Sequence, residues 1–372
     1  MHEPRTSPPR RARLLLATFA VVALGVLASA ASAAALPANF WGVVPQIPPT
    51  VQDLQKLRRG GVDSIRVPVS WGSVQPQRGG GWDWSDADAL IGAAAAAHLN
   101  VLPFLSTAPG WVVPTDPRFA SPEFLPVRNG KQRSGWSRFV TTAVQRYGPH
   151  GAFWRENPQL PPRPVHIWQV WNEPNFKYFV ARPNPAEYGK LVNLTYAAAK
   201  AADPHAKLIL GGLFARPIEA TFHVRPRQAY FASTFLQQMY ASTPGIKAKF
   251  TGVALHPYTG SWKNLPGRIE EVRRVLVRNH DAGKSLYITE MGWSSEPHQP
   301  HNSFAKGMAG QARELKGAFR LLSANQRRWH LQGVYWFSIN DYAGLCNFCG
   351  GSGLFHENKA KPAWYAYKRF AR

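Results

Sequence analysis

Two glutamates in this 372-residue chain stand where carboxylate chemistry can be done. Glu173 closes the run His166-Ile167-Trp168-Gln169-Val170-Trp171-Asn172, and Glu290 lies in Ile288-Thr289-Glu290-Met291-Gly292-Trp293. Each follows β-branched and aromatic residues that read as a buried strand, and Pro174 ends the first of them, since proline neither donates to a ladder nor tolerates helix just before it. Two carboxylates at the ends of strands of one sheet can flank a single bond, which is what glycoside hydrolysis requires. Trp168, Trp171, Tyr287 and Trp293 surround them. Desolvation there can hold one carboxyl protonated near neutral pH. The other must stay ionised, and Arg66, in the apolar run Ile65-Arg66-Val67-Pro68, is its natural charge partner.

The elements that must position these side chains repeat eight times. Apolar runs at 40–44, 62–69, 101–105, the run into Glu173, 208–212, 252–258, 285–293 and 333–338 read as strands. Between them lie helical stretches. One ends at Gly60-Gly61, one opens near Trp82 and Trp84 and runs to Ala97, and others cover 136–147, 185–202, 229–240, the face of Ile269, Val272, Val275 and Leu276, and 307–324. A closing helix spans 362–370 with Pro362 near its start. The Pro-rich segment 108–133, with Trp111 and Phe124, reads as a long loop. Eight strand-helix alternations in one chain predict an α/β fold, a single-domain (β/α)8 TIM barrel over 34–372, with its long loops gathered at the C-terminal ends of the strands.

Other chemistries find little support. Gly79-Gly80-Gly81 lacks the spacing of a nucleotide-binding loop, no Ser lies in a G-x-S-x-G elbow, and His298 and His301 are too loosely spaced for a metal site. No metal and no cofactor is expected. Cys346 and Cys349, the only cysteines, predict a tight local disulfide in an exported protein. Export is read from residues 1–33. Arg10, Arg11 and Arg13 precede an uncharged run to Ala28 and the small-residue series Ala28-Ser29-Ala30 and Ala31-Ser32-Ala33, a signal peptide too short to span a bilayer. Once cleaved it leaves no transmembrane segment, so a secreted or cell-wall-associated location is expected. Net charge is +23, and with four Arg and one Glu in residues 1–33 about +20 remains on the mature chain. Such a field favours anionic cell-wall polymers, although Arg scattered over a solvated surface accounts for it as well. No nucleic-acid-binding motif is present.

Trp171-Asn172-Glu173-Pro174-Asn175 on the fourth strand together with Ile288-Thr289-Glu290-Met291-Gly292-Trp293 on the seventh resembles clan A of the glycoside hydrolases, and most closely families 39 and 5. The resemblance extends from about Trp41 to the last helix. It includes Arg66-Val67-Pro68-Val69-Ser70-Trp71, His256-Pro257-Tyr258, Tyr335-Trp336 and the segment from Gly353-Leu354-Phe355 to Lys361-Pro362-Ala363-Trp364. It implies a carbohydrate substrate and a retaining mechanism, with Glu173 as acid/base and Glu290 as nucleophile. It further implies that Asn172 bonds the sugar 2-hydroxyl, that Tyr258 orients Glu290, that His256 shapes the same subsite, and that Trp336 is the platform under the sugar. Trp293 and Trp111 are the best-placed aromatics for an extended cleft. A catalytically silent glycan-binding barrel and a transglycosylase using the same residues are the alternatives.

Overall fold

Eight of the apolar runs become parallel strands: β1 (Trp41–Val44), β2 (Ser64–Ser70), β3 (Asn100–Ser106), β4 (Ile167–Asn172), β5 (Lys207–Phe214), β6 (Gly252–His256), β7 (Ser285–Met291) and β8 (Leu331–Phe337). They form a closed barrel in sequence order, sealed by β1 against β8 with Trp41 opposite Val334 and Val44 opposite Phe337. The structure is a computed structural model and describes residues 1–2, 35–113, 123–217, 228–343, 346, 349–371. Apart from Met1 and His2, the segment read as an export signal lies outside the described residues. No helix among the described residues is long and apolar enough to cross a membrane.

Around the barrel run α1 (Val51–Arg59), α2 (Trp71–Val74), α3 (Ser85–Ala96), α4 (Gly130–Tyr147), α5 (Ala152–Glu156) and α6 (Pro185–Ala202). They are followed by α7 (Ala232–Ser242), α8 (Leu265–Arg278), α9 (Gly307–Ala324), α10 (Gln326–Trp329) and α11 (Pro362–Ala371). Local chemistry sets several of their ends. Thr50 caps α1 in a reciprocal box with Asp53, and Asn184 caps α6 just before Pro185. α4 starts at Gly130, two turns before its apolar pattern begins, because Asn129 accepts the backbone N–H of Gln132 at 2.9 Å. Its first turns carry Lys131, Arg133 and Ser134, which show no hydrophobic period, so the segment reads as loop in sequence.

The core has two layers. Between strands and helices lies the larger one, including Trp71, Trp136, Trp168, Trp293, Phe319 and Trp336. Inside the barrel lies a small one of Val44, Leu102, Ile209, Ala254 and Tyr335, with Ile167, Tyr287 and Phe337 packed on it. Every strand but β2 contributes to the inner layer. On β2, where Ile65, Val67 and Val69 pack outward, the buried inward residues are polar: Ser64, which donates to the Tyr335 hydroxyl at 3.0 Å, and then Arg66, which is fully buried. The apolar filling of the barrel thus gives way to a charge on the way to the C-terminal ends of the strands.

Past β8 the chain is tied down in several places. Cys346 and Cys349 form the expected disulfide. The nearly buried ammonium of Lys361 donates to Asp341 and Ser295, each at 2.8 Å, and to the carbonyl of Gly351 at 2.9 Å.

Candidate active site

Arg66 is the hub of the polar cluster at the barrel mouth. Its three guanidinium nitrogens each take a different acceptor: Nε donates to Gln169 Oε1 at 3.0 Å, Nη1 to Glu290 Oε1 at 2.6 Å and Nη2 to Asn172 Oδ1 at 2.5 Å. An isolated cation at this depth would be strongly unfavourable, so full pairing is what allows it. The pairing also orients Asn172. Its oxygen must face the guanidinium, because a donor there would meet a donor, and this leaves Nδ2 free to donate elsewhere.

Two breaks in strand alternation bring these groups to one point. Regular pleating would send Trp171 inward and Asn172 outward. Trp171 instead takes a left-handed φ of 71°, held by its Nε1 donating to the Phe179 carbonyl at 2.9 Å and by packing against Trp136, and Asn172 turns in. Such a conformation is strained for a bulky residue and persists only when its surroundings fix it. Glu173 follows with φ of 40°. On β7, Leu286 and Ile288 pack outward, so alternation would carry Glu290 outward as well. The register between β7 and β8 shifts between Ile288 and Met291, and the irregularity re-aims Glu290 toward Arg66.

One ligand-type atom each from Glu173, His256 and Glu290 lie within 4.8 Å of one another. Tyr258 donates to Glu290 Oε2 at 2.9 Å, so both oxygens of this carboxylate receive a hydrogen bond. Its side chain is 12% exposed. Glu173 is buried and meets the imidazole Nδ1 of His256 through Oε1 at 2.6 Å. Its other oxygen, Oε2, has no hydrogen-bond partner among the described residues. Burial, then the charge of Glu290, pushes the Glu173 carboxyl well above the ordinary carboxylate range, with Arg66 pulling the other way. Burial also raises Glu290, but Arg66 and the Tyr258 hydroxyl oppose it by charge and hydrogen bonding. The two environments differ in the direction a proton-sharing pair needs: Glu173 is the carboxyl favoured to hold the proton, and Glu290, with Arg66 and Tyr258 opposing its burial, the one that ionises more readily. Burial and the nearby Arg66 lower the pKa of His256 well below its usual value, so the imidazole is neutral. The trio is compact enough to hold a cation, yet Arg66 already neutralises Glu290, which favours acid-base work there.

Three residues of this constellation were not singled out by sequence. Gln169 supports Arg66 from the strand interior; Thr289 meets His256 Nε2 through Oγ1 at 3.0 Å; Gly212 leaves room for the imidazole. A Cβ at Gly212 would sit 2.0 Å from His256 Nε2. Gly212→Ala is therefore expected to displace the ring from Glu173 and lower kcat by about tenfold or more, with the fold retained as judged by far-UV circular dichroism; the overpacking itself costs about 1–3 kcal/mol. Unchanged kcat would show that the imidazole position does not matter.

The aromatic expectations need correction. Trp336 is fully buried between strand and helices, against Trp293 and Phe319, with its Nε1 on the Ser352 carbonyl, so it cannot lie under a sugar. Neighbouring residues on a strand face opposite ways, and it is Phe337 that faces the mouth, half-buried and edge-on to Tyr258 with centroids 6.4 Å apart. Trp293 is also buried, with its Nε1 donating to the Thr259 carbonyl. Trp111 stays partly exposed but lines, with Trp82, a separate cleft that includes neither glutamate. His298 and His301 belong to no cluster of metal-ligand type among the described residues.

No family model and no curated protein matches the chain. Solved structures do. A family 39 glycoside hydrolase from the gut symbiont Bacteroides cellulosilyticus superposes with a TM-score of 0.61 at 22% identity, over 90% of this chain and 64% of that one. The present chain thus spans less than two thirds of that protein's length. A family 39 β-xylosidase from Caulobacter crescentus gives 0.61 at 21% identity over 90% of this chain and 72% of that one. A subfamily 18 member of family 5 from Bifidobacterium longum subsp. infantis gives 0.59 at 15% identity over 91% and 79%. In fold, the chain is a closed (β/α)8 barrel of the kind that family 39 and family 5 glycoside hydrolases share.

Proposed function

We propose that this chain is an exported retaining β-glycosidase in which Glu290 is the nucleophile and Glu173 the acid/base. The observation that carries the reading is the approach of two unequal carboxylates at one barrel mouth: Glu290 bonded by Arg66 and Tyr258, Glu173 buried with one oxygen unbonded. Retaining pairs stand about 5–5.5 Å apart, too close for a water between them, and ligand oxygens within 4.8 Å suit that class. In the first step an oxygen of Glu290 bonds the anomeric carbon from one face while the leaving oxygen departs with the proton of Glu173. In the second, Glu173, now a carboxylate, takes a proton from water, the water oxygen bonds the anomeric carbon, and the bond to Glu290 breaks. Oε2 of Glu173 is the oxygen suited to carry the proton, because His256 occupies Oε1. The free Nδ2 of Asn172 is suited to the sugar 2-hydroxyl, where hydrogen bonds strengthen in the transition state. Phe337 replaces Trp336 as the platform residue, by the packing of apolar ring faces.

A silent binding barrel would have no use for a buried carboxyl poised above its ordinary range, since such a group costs stability without contributing affinity. The substrates proposed are β-xylosides and β-mannosides, after the β-xylosidase and exo-β-1,4-mannosidase among the neighbours in fold. The signal-like segment supports a secreted or wall-associated location. The test is the anomeric configuration of the first product, followed by proton NMR on a panel of such substrates: the β-anomer is expected first, and an α-anomer would overturn the assignment.

The same proton distribution gives a pH profile. Glu290 must be ionised and Glu173 protonated, so kcat/KM is expected to be bell-shaped. Both limbs are displaced above the ordinary carboxylate range, and they report the pair together. Glu173→Gln, assayed on a substrate with an activated leaving group, should lose the alkaline limb and keep the acidic one. An alkaline limb that survives belongs to another residue.

A further inference from the structure

A second cleft, sharing no lining residue with the glutamate site, opens where the loops after β2 and β3 meet α4. Its volume is about 600 Å³. Three cations line it, Arg78, Lys131 and Arg138, together with the indoles of Trp82 and Trp111, and no Asp or Glu is in its wall. Among the described residues none of the three cations is in an ion pair, and Lys131 donates only to the Trp111 carbonyl, at 3.3 Å. The loop that carries Arg78 is closed by Gly80 N–H donating to the Gln77 carbonyl and by the Gln75 amide donating to the Gly80 carbonyl. Trp111 is fixed by its Nε1 donating to the Gln75 carbonyl at 3.0 Å. Lys131 stands over that indole, 5.5 Å from the ring centroid. Trp82 lies 6.0 Å from Trp84, which anchors it at the start of α3. Elsewhere among the described residues cations are held by carboxylates, as Arg128 is by Glu187 and Arg146 by Asp88. Unpaired cations around ordered indole faces are an arrangement that favours an anion carried on an apolar-faced ring.

We propose that this cleft is a secondary binding site for a uronic-acid-bearing saccharide: the pyranose faces pack on Trp82 and Trp111, and the carboxylates meet Arg78, Lys131 and Arg138. A glycan with one carboxylate per ring matches three spaced charges interleaved with the hydroxyls of Ser137, Thr141 and Thr142 better than a densely charged sulfated chain does. The inference rests on the proposed function only in taking the ligand to be a glycan. Its deciding readout is binding of the uronate, with no turnover needed, so the two can fail separately.

The experiment is affinity electrophoresis and calorimetric titration of the full protein with polygalacturonate oligomers. Neutral xylo-oligosaccharides, a sulfated polysaccharide and a small aryl glycoside serve as comparisons. The parent is expected to bind the uronate, to bind the neutral chain at least about tenfold more weakly, and to lose affinity as salt rises past about 0.1 M, where the screening length falls to about 10 Å. Lys131→Glu/Arg138→Glu should weaken uronate binding by about tenfold or more while leaving the far-UV circular dichroism and the melting transition unchanged, and any hydrolysis of the aryl glycoside with them. Arg274→Glu/Arg278→Glu, the same change of charge on the exposed side of α8, should leave uronate binding within about twofold. Equal weakening by both double variants would assign the affinity to net charge and overturn the proposal. So would tighter binding of the sulfated or the neutral chain, or no effect of Lys131→Glu/Arg138→Glu in a protein that remains folded.

Discussion

Glu290→Ala is expected to lower kcat/KM on the order of 10⁴-fold for every substrate, activated or not, because the covalent step proposed above has no other nucleophile. That factor corresponds to about 5.5 kcal/mol of transition-state stabilisation. Azide supplied to this variant can enter the space the side chain leaves and attack from the same face, so it should yield an inverted α-glycosyl azide. The variant is also expected to lose stability. Arg66 is fully buried, and removing Glu290 leaves it with Gln169 and Asn172 but no directly bonded carboxylate among the described residues; breaking a buried pair of this kind costs about 3–5 kcal/mol. Glu290→Gln keeps the shape and an acceptor, so it should be nearly as inactive while melting closer to the parent. A Glu290→Gln protein with more than a few per cent of parental activity would remove Glu290 from the nucleophile role.

Glu173→Gln should behave differently on each count. With a poor leaving group the first step needs the proton, and a loss of about 10²–10⁴-fold is expected. With a dinitrophenyl leaving group the first step proceeds unaided, the covalent glycosyl-enzyme accumulates, intact-mass spectrometry should find the protein heavier by one glycosyl group, and peptide fragmentation should place it on Glu290. Azide then attacks that intermediate and yields the retained β-azide, the opposite anomer to the Glu290→Ala product. Stability should not fall. The native carboxyl holds its proton above the ordinary range, so between the unfolded pKa and the raised native one the unfolded state binds fewer protons, and stability declines as pH rises. Removing the group removes that decline, so Glu173→Gln should melt higher than the parent at neutral pH. Equal sensitivity to both kinds of leaving group would count against the acid/base assignment.

The barrel and its two carboxylates are legible in the linear chain because both depend on local information. An apolar run of β-branched and aromatic residues stopped by Pro174 marks a strand end whatever lies around it, and eight such runs alternating with amphipathic stretches leave few ways to bury both kinds of face. Arg66 could be paired with a glutamate on charge alone, since a cation in an apolar strand must find an anion, and Tyr258 followed from the family resemblance. The start of α4 is not legible in the sequence because a polar side-chain cap, with no hydrophobic period to announce it, sets that end.

What only the tertiary structure decided is where the side chains face once pleating is interrupted. Period-two alternation holds while a strand stays regular, and the site is built where it does not. The left-handed Trp171 turns Asn172 inward, the shifted register of β7 against β8 turns Glu290 inward, and on β8 a single position separates the buried Trp336 from Phe337 at the mouth. Gly212 and Thr289 matter only because His256 arrives from a neighbouring strand, and Trp111 and Trp82 face one cleft only because the loops after β2 and β3 are folded against α4. Residue types and their order along the chain determined which groups are available for chemistry. Packing between strands that are distant in sequence determined which of them meet, because departures from alternation are set by neighbours that no local window contains.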